Sequence, residues 1–243
     1  MIRFIADIGS NHNQNLGRAN ELIYQAKEAG CWGVKFQMFN GEIGKPEREW
    51  LNPDWLDPLS KQAHYYGMQF GCSPFYLEAV KILEPYVDFY KIAASQVNNL
   101  PLIKACAKTD KAIIISVPVD WPSSIAQLVE YAIWLRSPTW LSSTIRDLTL
   151  LHCVPKYPTL PRECNLEWMV VIRNAYGHRG PGYSDHTRNP GVIYRVVHHY
   201  GAQVVEFHLD LDGQGWEYHY GHCWLPEEIK EVIKNVKEGF EAD

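Results

Sequence analysis

The chain has 243 residues, 46% of them hydrophobic, and a formal net charge of -5 at pH 7. That balance excludes a duplex nucleic-acid binder with a basic face, and no apolar run reaches the length needed to span a membrane. The length suits one large α/β domain with a substantial core. Cys31, Cys72, Cys106, Cys153, Cys164 and Cys223 are scattered without paired spacing and read as reduced thiols of a cytoplasmic protein.

Residues 4–9 are an apolar run that ends in Gly9-Ser10-Asn11-His12-Asn13, a strand followed by a loop. Leu16, Ala19, Leu22, Ile23 and Ala26 recur at helical spacing and Gly30 closes the segment, which predicts a helix over 16–29. A strand at 32–37 follows, then a charged, proline-containing loop at 40–53 and a helix over 56–66. The same reading gives a strand at 69–74, a helix over 77–84, a strand at 88–93, a helix over 100–108 and a strand at 112–116. A helix over 123–135 and a polar connector at 137–145 lead to a strand at 148–153. Then come a helix over 166–176, a strand at 182–185, a helix over 190–200 and a strand at 202–209. The last helix starts at Pro226, with Glu227 and Glu228 in its first turn. Eight strands alternating with eight helices predict a parallel sheet, and eight such units in this length predict a closed (β/α)8 TIM barrel, a single domain over 1–243. A doubly wound open sheet is the alternative, but no Gly-x-Gly-x-x-Gly follows the first strand.

Chemistry in such barrels sits at the C-terminal ends of the strands. Those ends carry Asp7, Lys35 with Gln37, Ser73, Lys91 with Ser95, Ser116, Cys153, Ser184 with His186, and Glu206 with His208. In the last strand Glu206, His208 and Asp210 alternate with Val205, Phe207 and Leu209, so one face is polar and the other apolar. A right-handed crossover sets consecutive parallel strands side by side, which brings His186 and His208 to one end of the sheet. Two imidazoles near carboxylates are first-row metal ligands, and a structural role is the other reading. Buried lysines and serines need partners, which an anionic ligand or a self-satisfied polar cap would supply. Lys91 with Ser73, Ser116 and Ser184 suits a phosphate, Lys35 a carboxylate, and a metal held by histidine a polarised carbonyl. Together these describe phosphoenolpyruvate meeting an aldehyde. In the loop at 215–224, His219, His222 and Cys223 offer zinc donors at a spacing that fits no common module. Its aromatic residues read instead as a lid or a sugar-stacking surface.

Phe4-Ile5-Ala6-Asp7-Ile8-Gly9-Ser10-Asn11-His12-Asn13, Val34-Lys35-Phe36-Gln37, Ser73-Pro74-Phe75, Tyr90-Lys91-Ile92-Ala93, Leu151-His152-Cys153 with Tyr157-Pro158-Thr159, Gly182-Tyr183-Ser184-Asp185-His186-Thr187 and Glu206-Phe207-His208 resemble the sialic acid (N-acetylneuraminate) synthase family. The matches fall in the family's order and cover nearly the whole chain. The resemblance implies an enzyme that uses a divalent metal, usually manganese with magnesium as the alternative. It would add phosphoenolpyruvate to the open-chain aldehyde of an N-acylated mannosamine-type sugar, giving a sialic-acid-like 2-keto-3-deoxy sugar acid and phosphate. By position it implies His186 and His208 as metal ligands and Lys91, Ser73, Ser116 and Ser184 as the phosphate site. Lys35 would lie near the carboxylate, and Gln37 and Tyr157 would touch the sugar.

The departures from the family pattern bear on catalysis and on the acceptor. Asp7 stands where the family has Glu, and Gln96 where it has an acid, so both are catalytic candidates. Ala94 replaces a phosphate-site serine, for which Ser95 is the substitute, placed on the face of Lys91 by strand periodicity. The family's C-terminal antifreeze-like domain has no counterpart in these residues, which implies a stand-alone barrel. Its acceptor pocket would then be closed by the loop at 215–224, with Glu217 accepting hydrogen bonds from the sugar. A homodimer stays open. Two other readings remain: a different aldehyde acceptor, or a scaffold subunit that keeps the phosphate site without catalysis, which Ala94 and Gln96 favour.

Overall fold

In the computed structural model, which describes residues 2–41, 44–118, 148–176 and 181–241, eight parallel strands close into a barrel in the order β1 to β8. They are β1 (Arg3–Gly9), β2 (Gly33–Met38), β3 (Gln69–Pro74), β4 (Phe89–Ile92), β5 (Ala112–Pro118), β6 (Leu148–Cys153), β7 (Gly182–Asp185) and β8 (Val204–His208). β1 closes the ring on β8, with Asp7 level with His208 on one side and Lys35 on the other. The helices are α1 (Leu16–Glu28), α2 (Leu56–Tyr65), α3 (Leu77–Leu83), α4 (Leu100–Ala107), α5 (Trp168–Tyr176), α6 (Pro190–His198) and α7 (Pro226–Glu241). The predicted alternation holds among the described residues, while the predicted helix over 123–135 and the connector at 137–145 lie outside them. Among the described residues no helix is long and apolar enough to cross a membrane.

Local sequence accounts for the boundaries. The side chains of Asn15, Asn99 and Asn189 accept hydrogen bonds from first-turn N–H groups of α1, α4 and α6, and Pro stands in the first turn of the last two. Outward strand residues such as Val34, Phe36, Phe70, Ile113, Ile115, Val205 and Phe207 join the apolar stripes of the helices in one large core.

The inward residues form two layers because each strand places an apolar or glycine residue one pleat below a polar one. The floor is Ile5, Phe89, Ile114, Leu151 and Val204, a second apolar cluster. One pleat above lie Asp7, Lys91, Ser116, Cys153 and Glu206, and the glycine strands repeat the step as Gly33 under Lys35, Gly71 under Ser73 and Gly182 under Ser184. The glycines make room for the large floor residues. A Cβ on Gly71 would lie 2.2 Å from the Phe89 ring, and one on Gly182 would lie 2.2 Å from Leu151. Gly71→Val should therefore destabilise the barrel by about 1–3 kcal/mol through overpacking. Denaturant unfolding checks this, and an unchanged midpoint would show that the floor can relax.

Candidate active site

The polar layer and the loops above it enclose a cavity of about 600 Å³, lined by Asp7, Lys35, Gln37, Lys91, Ser116 and Ser184, together with His186, His208 and His222. Lys35 and Lys91 are 2% and 3% exposed, so their charges need partners within the protein. Both have them. Lys35 Nζ donates to Asp7 Oδ2 at 2.5 Å and to Ser73 Oγ at 3.3 Å. Lys91 Nζ donates to Ser116 Oγ at 2.8 Å and lies 3.1 Å from Glu206 Oε1. Ser184 Oγ donates to that same oxygen at 2.9 Å, and Glu206 Oε2 lies 4.0 Å from Lys35 Nζ. The lysines are thus neutralised by carboxylates of other strands, Lys35 by Asp7 of the adjacent β1 and Lys91 by Glu206 of β8 across the barrel, and their burial does not by itself demand a bound anion. The sequence reading gave Glu206 no site role, yet it is the group that links the two cations.

The charges support one another. Burial works to raise the Asp7 carboxyl, but Lys35 and His208 outweigh it and hold the group at about 2. Burial opposes the charge on Glu206 as well, and Lys35 with Lys91 still keeps it below the usual carboxylate range. Burial disfavours the Lys35 ammonium, but Asp7 and Glu206 hold its pKa above the ordinary value. Asp7 also accepts from Gly9 N at 2.9 Å and from Gln37 Nε2 at 2.9 Å.

His186 and His208 do meet, with ring centroids 5.3 Å apart. His186 Nδ1 is 2.8 Å from the Val154 carbonyl oxygen. His208 Nδ1 is 2.7 Å from Glu217 Oε2, and its Nε2 is 3.6 Å from Asp7 Oδ2. Burial lowers the pKa of His208, but Asp7 and Glu217 raise it overall. Burial and the neighbouring His208 push His186 down to about 3. A third imidazole, His222, stands 4.4 Å from His208 and 6.0 Å from His186, centroid to centroid. Tyr157 packs on the group, 4.2 Å from His186.

Four expectations need correction. Gln96 does not line the cavity: it sits in the short 3-10 turn after β4, and its Oε1 accepts from Asn99 Nδ2. Ser95 does line the cavity, but from that exposed turn rather than by strand periodicity, because β4 ends at Ile92. Ser73 is fully buried behind Lys35 and does not reach the cavity. Glu217 reaches the cavity, but its first partners are within the protein, Ser10 N at 2.7 Å from Oε1 and His208 Nδ1 at 2.7 Å from Oε2, so it orients a histidine. Its approach requires Gly9, whose φ is +51° and where a Cβ would fall 2.2 Å from the carboxylate. Of the zinc donors considered, His222 and Cys223 are buried near Glu217, while His219 stacks on Tyr220.

The model of the NeuB family matches residues 46–243. A protein of Methanocaldococcus jannaschii, described only as uncharacterized, is 31% identical over 96% of this chain and 69% of its own length. The N-acetylneuraminate-9-phosphate synthase of Drosophila melanogaster is 29% identical over 97% of this chain and 67% of its own. The crystal structure of an N-acetylneuraminic acid synthetase from Leptospira borgpetersenii, in complex with citrate, superposes with a TM-score of 0.84 at 24% identity. It covers 98% of this chain and 83% of that one, a likeness of fold.

Removing one charge from the network should cost far more than a surface ion pair does. Glu206→Gln removes the charge that balances Lys91 and lies 4.0 Å from Lys35, leaving a buried ammonium without a counter-ion, and should destabilise the protein by about 3–5 kcal/mol. The Asp7–Lys35 pair adds a pH limb. Because the folded pKa of Asp7 lies below its unfolded value near 3.8, this stabilisation is complete above that value and is lost as pH falls through about 2. Acid titration of the fold by circular dichroism checks this: Lys35→Met should unfold at higher pH than the parent.

Proposed function

The chain belongs to the NeuB family, and we propose that it joins phosphoenolpyruvate to the open-chain aldehyde of an N-acylated sugar, releasing phosphate and a 2-keto-3-deoxy sugar acid. One observation carries this reading: a single cavity is lined both by Lys91 with Ser116 and Ser184 and by the paired imidazoles of His186 and His208. The reaction suits that combination. The methylene carbon of phosphoenolpyruvate bonds to the aldehyde carbon, water adds at the former enol carbon, and phosphate leaves from it.

Lys91 supplies the cation for the phosphate. Ser116 uses its oxygen to accept from Lys91, so its own hydrogen is available to a phosphate oxygen. Ser184 and the rim residue Ser95 add two more hydroxyls at the cavity wall. Lys35 serves the carboxylate of phosphoenolpyruvate, with Ser73 steadying its ammonium from behind. Asp7 stays ionised beside Lys35 and is placed to govern proton movement at Lys35 Nζ. Gln37 and Tyr157 line the cavity where the sugar would enter.

The histidine pair fits a divalent ion. His186 donates its Nδ1–H to Val154, which leaves Nε2 with a lone pair, and Glu217 fixes His208 through Nδ1. This is the outer partnering that metal-bound histidines show. His186 and His208 would hold Mn2+, with Mg2+ the poorer match for imidazole. When bound, such an ion polarises the aldehyde oxygen.

Phosphate release should require phosphoenolpyruvate, the ion and an acceptor together, assayed with Mn2+ or Mg2+ over N-acyl mannosamines, their 6-phosphates and plain aldoses. Lys91→Met should weaken phosphoenolpyruvate binding in calorimetry by about 10–100-fold, the worth of one hydrogen bond to a charged group. Equal affinity in parent and variant would place the phosphate elsewhere. Phosphate release without any acceptor would replace the synthase reading with hydrolysis.

A further inference from the structure

Beside the catalytic cavity, the loop after β8 gathers His208, Glu217, His222 and Cys223 so that their donor atoms all lie within 4.8 Å of one another. We propose that this loop carries a second metal site, selective for thiophilic divalent ions such as Zn2+, with Glu217 Oε2, His222 Nε2 and Cys223 Sγ as its protein ligands. It adjoins the His186–His208 pair through His208, the fourth member of the group, but uses other ligand atoms and stands whether or not that pair serves the synthase reaction.

The spacing comes first. Donors bound tetrahedrally to zinc at about 2.0–2.3 Å lie roughly 3.3–3.6 Å apart. His222 Nε2 is 3.9 Å from Glu217 Oε2 and 3.8 Å from Cys223 Sγ. Movements of a few tenths of an ångström would bring His222 to that spacing from each of the other two, whose donors lie within 4.8 Å of one another, and water would take the fourth position.

The surroundings hold the donors in place. His222 is 2% exposed, and among the described residues its Nδ1 has no hydrogen-bond partner and its Nε2 makes only the two long contacts just named. With the proton on Nδ1, the Nε2 lone pair faces Glu217 and Cys223 and is free for an ion. Cys223 is fully buried, and its sulfur receives Asn11 Nδ2 at 3.5 Å. The same Asn11 accepts from Glu217 N through Oδ1 at 2.8 Å, so one side chain sets the spacing of two ligands. Trp224 N donates to His208 O at 2.8 Å, and Trp224 Nε1 donates to the buried Asp185 at 3.0 Å, which pins the segment that follows Cys223.

The donor set selects the ion. One thiolate, one imidazole and one carboxylate suit Zn2+ far better than Mg2+ or Mn2+, which prefer oxygen. Binding removes the thiol proton of Cys223 to solvent, and the resulting thiolate and Glu217 neutralise the dication. Glu217 Oε2 is also the partner of His208 Nδ1, so occupation of the loop site fixes the carboxylate that orients a histidine of the cavity.

Cobalt(II) titration of the full chain tests this directly, because only a thiolate ligand gives sulfur-to-cobalt charge-transfer absorption in the near ultraviolet. The band should appear in the parent and persist in His186→Ala and in Cys153→Ser, which changes the other cavity thiol. It should vanish in Cys223→Ser and weaken greatly in His222→Ala, with one fewer Zn2+ bound per chain by calorimetry. If Cys223→Ser does not fold, zinc-edge X-ray absorption of the parent decides, since the site requires one sulfur neighbour per loop-bound zinc. Absence of the band in the parent, its survival in Cys223→Ser, or a sulfur-free zinc shell would each overturn the site.

Discussion

Two ammonium groups inside a closed barrel are the constraint around which the molecule is arranged. Lys35 and Lys91 come from β2 and β4, and their counter-ions Asp7 and Glu206 come from β1 and β8. No strand supplies a complete pair, so charge is balanced only when the ring has closed. Taking such groups out of water costs several kcal/mol each unless geometry and extra hydrogen bonds offset it. Gly9 N, Gln37, Ser73, Ser116 and Ser184 provide those bonds. The apolar floor beneath serves the same end, since it seals the lower barrel under the polar layer.

An internally balanced network is also well suited to handling anions. A phosphate that approaches Lys91 competes with Glu206 for a cation already in place, and only local shifts of partner are needed. The histidines stand at the ends of β7 and β8, the strands that carry Ser184 and Glu206, within reach of Asp7 through His208 Nε2. Lysines, carboxylates and imidazoles therefore form one connected electrostatic unit.

Much of this was legible in the chain itself. Strand and helix periods are local, and period two put Glu206 and His208 on one face of β8 and Val205 and Phe207 on the other, as the structure has them. The crossover rule brought His186 beside His208 for the same reason. What failed depended on the path of the chain past a strand end. Ser95 is placed by continuing the β4 pleat and Gln96 by its match to an acid of the family, but the backbone enters a 3-10 turn after Ala93, which puts Ser95 on the rim and turns Gln96 to Asn99. Glu217 was read as a sugar contact because nothing in its neighbours signals that the loop folds back to Ser10 and His208. The convergence of His222 on the histidine pair is likewise a tertiary fact. Its only trace in the sequence was the oddity of adjacent His and Cys in a loop.

The central claim is that the cavity holds phosphoenolpyruvate at Lys91 and a divalent ion at the histidine pair. Diffraction from crystals grown with phosphoenolpyruvate and Mn2+, recorded at the manganese edge, tests both halves at once. The account predicts an anomalous peak bound by His186 and His208, with phosphate density against Lys91, Ser116 and Ser184. A manganese peak away from both histidines, or phosphate density outside the polar layer, would contradict it.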